Sequence, residues 1–378
     1  AVTACAKSPI PSPEKLAPVS QQEAQELAEA LASAIRDCDA TAMAKVFDYE
    51  AAVRRGVLAS RLVAGLQPEY FESLLIGDVD VVQQFCDRQG TTADPPRVDV
   101  LRVSNSEAGY TALIRVSSLA LEYFEFSLGK SAAGALLSDE VEFSRVGQSL
   151  SEYYTGLLNS IEADVMHSEE ANQVEALLIS SPSEGLSRLA SLSPAYHESK
   201  RFQVAALVAA TTMSAEVFDE TRKSFQKLFP NDPVIDLLSL DGFTAAERYD
   251  EALACVDRIA KHIGPDPELQ ATRATLYLQQ GTDLPKAAEI IDGLLRDAPT
   301  IANFELQLWL RLLQKDLAGV LASLQAFGTD FGRVFTDDYL VDHPVHAGCR
   351  ESVEWLAYKQ WRASNFEFEE AAPAAEAN

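Results

Sequence analysis

An α+β domain followed by an all-α run of helix pairs is the architecture this sequence predicts, on three observations. Apolar residues recur at helical spacing from Glu23 to Cys86. The period drops to two between Val98 and Val146. Beyond Ser149 it returns to the helical value, broken by proline and glycine roughly every 30-odd residues. A length of 378 residues agrees, being more than one core usually serves. The boundaries fall at 1–22 for a leader, 23–165 for the α+β domain, 166–362 for the helical run and 363–378 for an acidic tail.

Ala6–Gln22 (AKSPIPSPEKLAPVSQQ) is rich in proline and serine and reads as a stiff, solvated tether. Ahead of it stand Val2, Thr3, Ala4 and Cys5: a branched apolar residue, two small ones, then a thiol. This resembles the lipobox of bacterial lipoproteins, where small residues let the signal peptidase fit the chain closely and the thiol receives the lipid. The resemblance implies a lipid on Cys5, an upstream segment removed, and the periplasmic face of a bacterial cell envelope. Ala6, where an aspartate would signal retention, implies the outer membrane. A trimmed signal peptide or an ordinary leader is the alternative for the same residues.

In the α+β domain, Leu27, Leu31 and Ile35 give Glu23–Asp37 an apolar stripe, and Asp39 caps a second helix through Ala42, Val46 and Phe47. A further helix ends with Pro68–Cys86. Val98–Val103, Tyr110–Val116, Leu119–Leu128 and Leu136–Val146 read as strands, with turns at Asn105–Gly109 and Gly129–Gly134, and a helix starts at Ser149. Gly129-Lys130-Ser131 ends like a phosphate-binding loop, but Phe124 stands where the loop's first glycine must turn, so the stretch is a hairpin turn. Helices, then an antiparallel meander, then a helix is an order similar to that of the NTF2-like (cystatin-like) superfamily over Gln21–Ser160. That resemblance implies a curved sheet wrapped over helices around an apolar pocket, here lined from Leu101, Leu113, Phe124 and Phe126. Some members are isomerases or dehydratases and many only bind. No residue matches a catalytic motif of the family. Asp139, Glu140 and Glu142 lie at the last strand, where solvated ends outnumber pocket acids.

The helical run carries the clearest internal pattern. Arg248–Pro267 (RYDEALACVDRIAKHIGPDP) has Tyr249, an acidic pair at Asp250 and Glu251, then Ala252. Glu268–Pro299 adds Ala274, Tyr277, Gly281, Ala287 and Pro299 at small, aromatic, turn, small and terminator positions. These residues resemble tetratricopeptide repeats, in which small side chains let paired helices approach and the pairs stack into a solenoid. Glu175–Pro194, Ser199–Pro230 and Ile301–Phe327 read as looser pairs. The resemblance implies a protein-binding groove on first-helix positions, here Leu237, Asp241 and Thr244, then Ala271, Thr275 and Leu278. An apolar-to-acidic face cannot hold the anionic tails that the family's carboxylate clamp grips, so any groove ligand is apolar or basic.

Composition narrows the function classes. The net charge of −26 divides as −11 over Ala1–Asp164 and −15 over the remainder, so no basic domain hides behind an acidic one. Such a surface repels nucleic acid and anionic lipid headgroups. Membrane contact is expected only through the N-terminal lipid, since no apolar run is long enough to span a bilayer. The five cysteines show no CxxC pair. Cys38 and Cys86 share a domain and can pair in an oxidising compartment or stay buried thiols. His343, His346 and Cys349 in Asp342–Cys349 (DHPVHAGC) are three apart, but Pro344 at a first helical position makes His343 a cap, and the segment reads as the start of a terminal helix bearing Trp355, Tyr358 and Trp361. His167, His197 and His262 are isolated in sequence, which leaves a hydrolytic triad unsupported. The expectation is a non-enzymatic interaction scaffold with no cofactor and no metal. A ligand-binding or enzymatic NTF2-like domain, or a cytosolic adaptor, is the alternative. The sequence names neither partner nor oligomeric state.

Overall fold

The computed structural model describes residues 12–61, 97–117, 121–164, 167–332, 334–335 and 352–366. The chain divides into two compact units, Ala1–Ala246 and Glu247–Asn378.

Three short helices open the first unit, each with an oxygen side chain at its N-cap. α1 (Gln21–Arg36) starts in a capping box: the Ser20 hydroxyl accepts from the Glu23 amide, and the Glu23 carboxylate accepts from the Ser20 amide. A hydrogen bond from Lys130 holds the Glu23 carboxyl down at about 2. Ala24, Leu27, Ala28, Leu31 and Ile35 form the buried stripe of α1. α2 (Ala40–Val46) and α3 (Tyr49–Ala59) are capped by Asp39 and Asp48. Cys38 turns the chain between α1 and α2 at φ 49° and is disulfide-bonded, so it does not stand as a buried thiol. Cys255 is buried and its Sγ accepts from Arg258 Nη2 at 3.3 Å; Cys5, Cys86 and Cys349, like the helix expected at Pro68–Cys86, lie outside the described residues.

Five strands follow in sequential order as one antiparallel meander. They are β1 (Arg97–Ser106), β2 (Gly109–Ser117), β3 (Leu121–Lys130), β4 (Leu136–Phe143) and the short β5 (Gln148–Ser149). Ile114 pairs with Phe124 and Ala112 with Phe126, which in turn pair with Phe143 and Val141. These side chains share one core with the stripe of α1. The four residues expected to line one apolar pocket therefore divide. Phe124 and Phe126 are packed against helices, Leu113 belongs to the alternate set with Arg115 and Tyr123, and Leu101 sits at the register shift between Val100 and Arg102. The alternate set is buried too: Arg115 is 5% exposed and paired with Asp99, and Tyr123 is 0% exposed.

Strand limits differ from expectation, and β1 runs on to Ser106, past the limit expected at Val103. β4 stops at Phe143, and a turn ending in Gly147 (φ 63°) reverses the chain into β5. Gly129 and Lys130 close β3, and the hairpin turn runs from Ser131 to Ala135. Gly129 is needed there because a Cβ would stand 2.5 Å from the Cβ of Leu16. The end of the leader lies against it: Ala17 and Lys130 exchange backbone hydrogen bonds of 2.8 and 2.9 Å.

A second capping box, Ser149 with Glu152, starts α4 (Leu150–Ala163). α3 and α4 approach closely at Gly56, where a Cβ would meet Ser151 O at 2.6 Å and Tyr154 Cβ at 2.7 Å. Helices α5 (Ser168–Ser180), α6 (Pro182–Leu189), the one-turn α7 (Pro194–His197), α8 (Lys200–Ala210), α9 (Ala215–Leu228) and α10 (Val234–Ala245) complete the unit. Here α5, α6 and α8 pack on one another around Val174, Leu178, Tyr196, Phe202 and Ala206, and α8 also packs on α9.

The second unit contains α11 (Tyr249–Ile263), α12 (Pro267–Gln280), α13 (Leu284–Asp297), α14 (Ile301–Leu313), α15 (Leu317–Phe331) and α16 (Val353–Asn365). Each contacts the next, and α12 also contacts α14, as stacked helix pairs do. Three turns between successive helices share one conformation. Glu247, Gly281 and Lys315 have φ of 56°, 69° and 58°, and they stand 34 residues apart. At the end of the unit, Trp355, Tyr358 and Trp361 of α16 pack on Leu308, Val320, Leu324 and Phe327. The Phe335 amide donates to the Tyr358 hydroxyl at 2.9 Å, and Arg362 Nη1 donates to the Phe335 carbonyl at 2.6 Å.

Candidate functional site

The residues singled out by the repeat pattern fall on helix contacts and turns. Ala252, Ala274 and Ala287 are 0% exposed, on α11, α12 and α13. Tyr277 packs beside Ala274 and Ala287, with Lys286 Nζ 5.6 Å from its ring centroid. Gly281 caps α12 in the left-handed conformation, Tyr249 opens α11, and Pro299 lies exposed between α13 and α14. Cys5 and the Asp342–Cys349 segment lie outside the described residues. Of the expected groove positions, Leu237 and Leu278 are buried and Asp241 is engaged by Arg145 at 2.7 Å. Ala271 and Thr275 remain half-buried on α12.

Polar side chains join several elements of the first unit. Arg55 reaches both Asp139, at 2.8 Å, and Glu140, at 3.4 Å, so these carboxylates tie α3 to β4. The hydroxyls of Tyr49 and Tyr154 are hydrogen-bonded to each other, and burial followed by that bond pushes the Tyr49 hydroxyl above its ordinary range. The pair joins α3 to α4. The Asp164 carboxylate and His167 Nδ1 meet at 2.7 Å between α4 and α5. Ser193 and His167 beside it lower the Asp164 carboxyl, and Asp164 raises His167.

Beside this last cluster a pocket of about 140 Å³ opens among α4, α5, α7 and the first turn of α8. Tyr153, Leu157 and Ile161 form one wall, and Tyr196 and Phe202 another. Lys200 and Arg201 also line it, two cations in the first helical turn, where the helix dipole favours acids. Each is held by an acid that does not line the pocket. Lys200 is paired with Asp232 and donates to the Gly147 carbonyl. Arg201 forks onto Glu175, with Nε to Oε1 at 2.7 Å, and lies over the rings of Tyr153 and Phe202 at 5.5 and 5.8 Å. Gly156 completes the α4 wall at a position where glycine costs about 1 kcal/mol relative to alanine.

Among the described residues no group of three or more His, Cys, Asp and Glu is placed to hold a metal ion. No described helix is long and apolar enough to cross a membrane. Compared with family models, with curated proteins and with solved structures, the chain matches none. The pocket is not marked by periodicity. Its local signals are the Lys200-Arg201 pair opening a helix and Gly156 beside Tyr153 in the helix before the repeats.

Proposed function

We propose that this protein is a non-enzymatic interaction scaffold of the bacterial cell envelope, binding a protein partner through tetratricopeptide-like helix pairs. The observation that carries the reading is the 34-residue recurrence of a left-handed turn residue at Glu247, Gly281 and Lys315, with Ala252, Ala274 and Ala287 fully buried. That period belongs to tetratricopeptide repeats. The groove partner is an apolar or basic segment, since Ala271 and Thr275 offer no cation. The α+β part serves as an NTF2-like module carrying the repeats. A lipid on Cys5 fixes the protein to the outer membrane, and the disulfide-bonded Cys38 suits the oxidising periplasm. The pocket between α4 and α8 favours a second reading, a ligand-binding first unit with the repeats as adaptor.

Two experiments test the first reading. The chain expressed behind a lipoprotein signal peptide should incorporate labelled palmitate, and Cys5→Ser should abolish the label and release the protein from membranes. Membrane association unchanged in the serine variant would overturn the anchor. A photo-crosslinking side chain at Ala271 or Thr275 should capture a discrete partner in cells, whereas one at exposed Lys261 or Asp292 should not. Equal capture from both sets would overturn the groove.

A further inference from the structure

The pocket between α4 and α8 has a lining opposite in charge to the protein around it. The chain holds 57 acidic and 31 basic residues. Lys200 and Arg201 nevertheless line the pocket, and no carboxylate does among the described residues. The acids that hold these cations, Asp232 and Glu175, stand outside the lining. Arg201 commits Nε and Nη2 to Glu175, which leaves Nη1 for a ligand. Leu157, Ile161 and Tyr153 supply an apolar wall.

Gly156 lies at the exposed rim of the pocket on α4. It lies within α4, and a Cβ built there meets no atom within 4 Å. Close packing does not require glycine at this position, as it does at Gly56 and Gly129. Its effect is to keep the wall clear. A volume of about 140 Å³ is below the range of about 300–1,000 Å³ typical of sites for drug-sized molecules, so the occupant is small.

We propose that this pocket binds a small organic monocarboxylate with an aromatic or branched aliphatic body. The carboxylate meets Arg201 and Lys200, where a charge-assisted hydrogen bond is available, and the body lies against Leu157, Ile161 and Tyr153. The proposal is independent of the partner-binding reading, because the pocket lies wholly in the first unit.

Titration calorimetry with phenylacetate and phenylacetamide tests it on the full chain. Phenylacetate should bind with a roughly millimolar or lower Kd, and the amide at least about tenfold more weakly. Gly156→Leu, which fills the pocket and improves helix propensity, should melt no lower than wild type and lose phenylacetate binding. Arg201→Gln should lose the preference for acid over amide; because it also strands Glu175, Gly156→Leu is the deciding variant. A tripeptide ending in phenylalanine has the same terminal chemistry. Binding of the tripeptide without phenylacetate would move the site to chain ends and overturn the free acid. Equal affinity for acid and amide, unchanged phenylacetate binding in Gly156→Leu, or no binding at about 10 mM would each overturn the proposal.

Discussion

Lys315 and Gly281 occupy equivalent turns with nearly the same backbone angles, yet only one is the residue suited to them. Left-handed backbone strains any side chain with a Cβ by about 1–2 kcal/mol, partly offset by the greater unfolded-state freedom of glycine. Lys315→Gly should therefore raise stability by about 0.5–1 kcal/mol, and Gly281→Ala should lower it by about 1–2 kcal/mol, read from denaturant melts. No atom lies within 4 Å of a Cβ at Gly281, so the second loss comes from the backbone alone. His167 and Asp164 add a pH dependence whose sign follows from their shifts. His167 is raised above 6.5, so its contribution is complete below 6.5 and disappears as pH rises through the folded value. Asp164 is lowered below 3.8, so its contribution is lost only as pH falls through that lower value. The melting temperature of the wild type should fall relative to His167→Asn between about pH 6 and 8. Parallel profiles would show that the pair contributes nothing.

Helix–helix contact is where the small residues act. Ala252→Leu or Ala287→Leu places a long side chain at a site with no exposure, and each should cost about 1–3 kcal/mol by overpacking. Neutral melts for both would mean the helices separate easily. Both alanines were picked out by resemblance to the small positions of tetratricopeptide repeats, and both are buried. The α+β elements were legible from local signals: alternation in Tyr110–Val116 and the cap at Asp39. What escaped was set by non-local pairing. Leu113 and Phe124 belong to sets of which only one can face inward, and the sequence did not choose between them; register puts Leu113 opposite Glu125 and Phe124 opposite Ile114, on different faces. The pocket escaped because Tyr153, Asn172 and Lys200 come from separate helices, and no periodicity records where three helices leave a gap.

The charge of −26 acts on the molecule as a whole. Self-repulsion of like charges opposes the compact state and is screened beyond about 10 Å at 0.1 M salt. Raising sodium chloride from about 20 to 500 mM should therefore raise the melting temperature, and a fall would mean that the described ion pairs outweigh the repulsion. The bridge between Ala17 and Lys130 has a mechanical consequence. Tension applied upstream of Ser12 arrives at the last residues of β3 and loads a single rung of two hydrogen bonds. That rung shears before any strand of the meander is pulled. Leu16–Val19 then straightens to at most about 3.3–3.6 Å per residue before the force reaches the cap of α1.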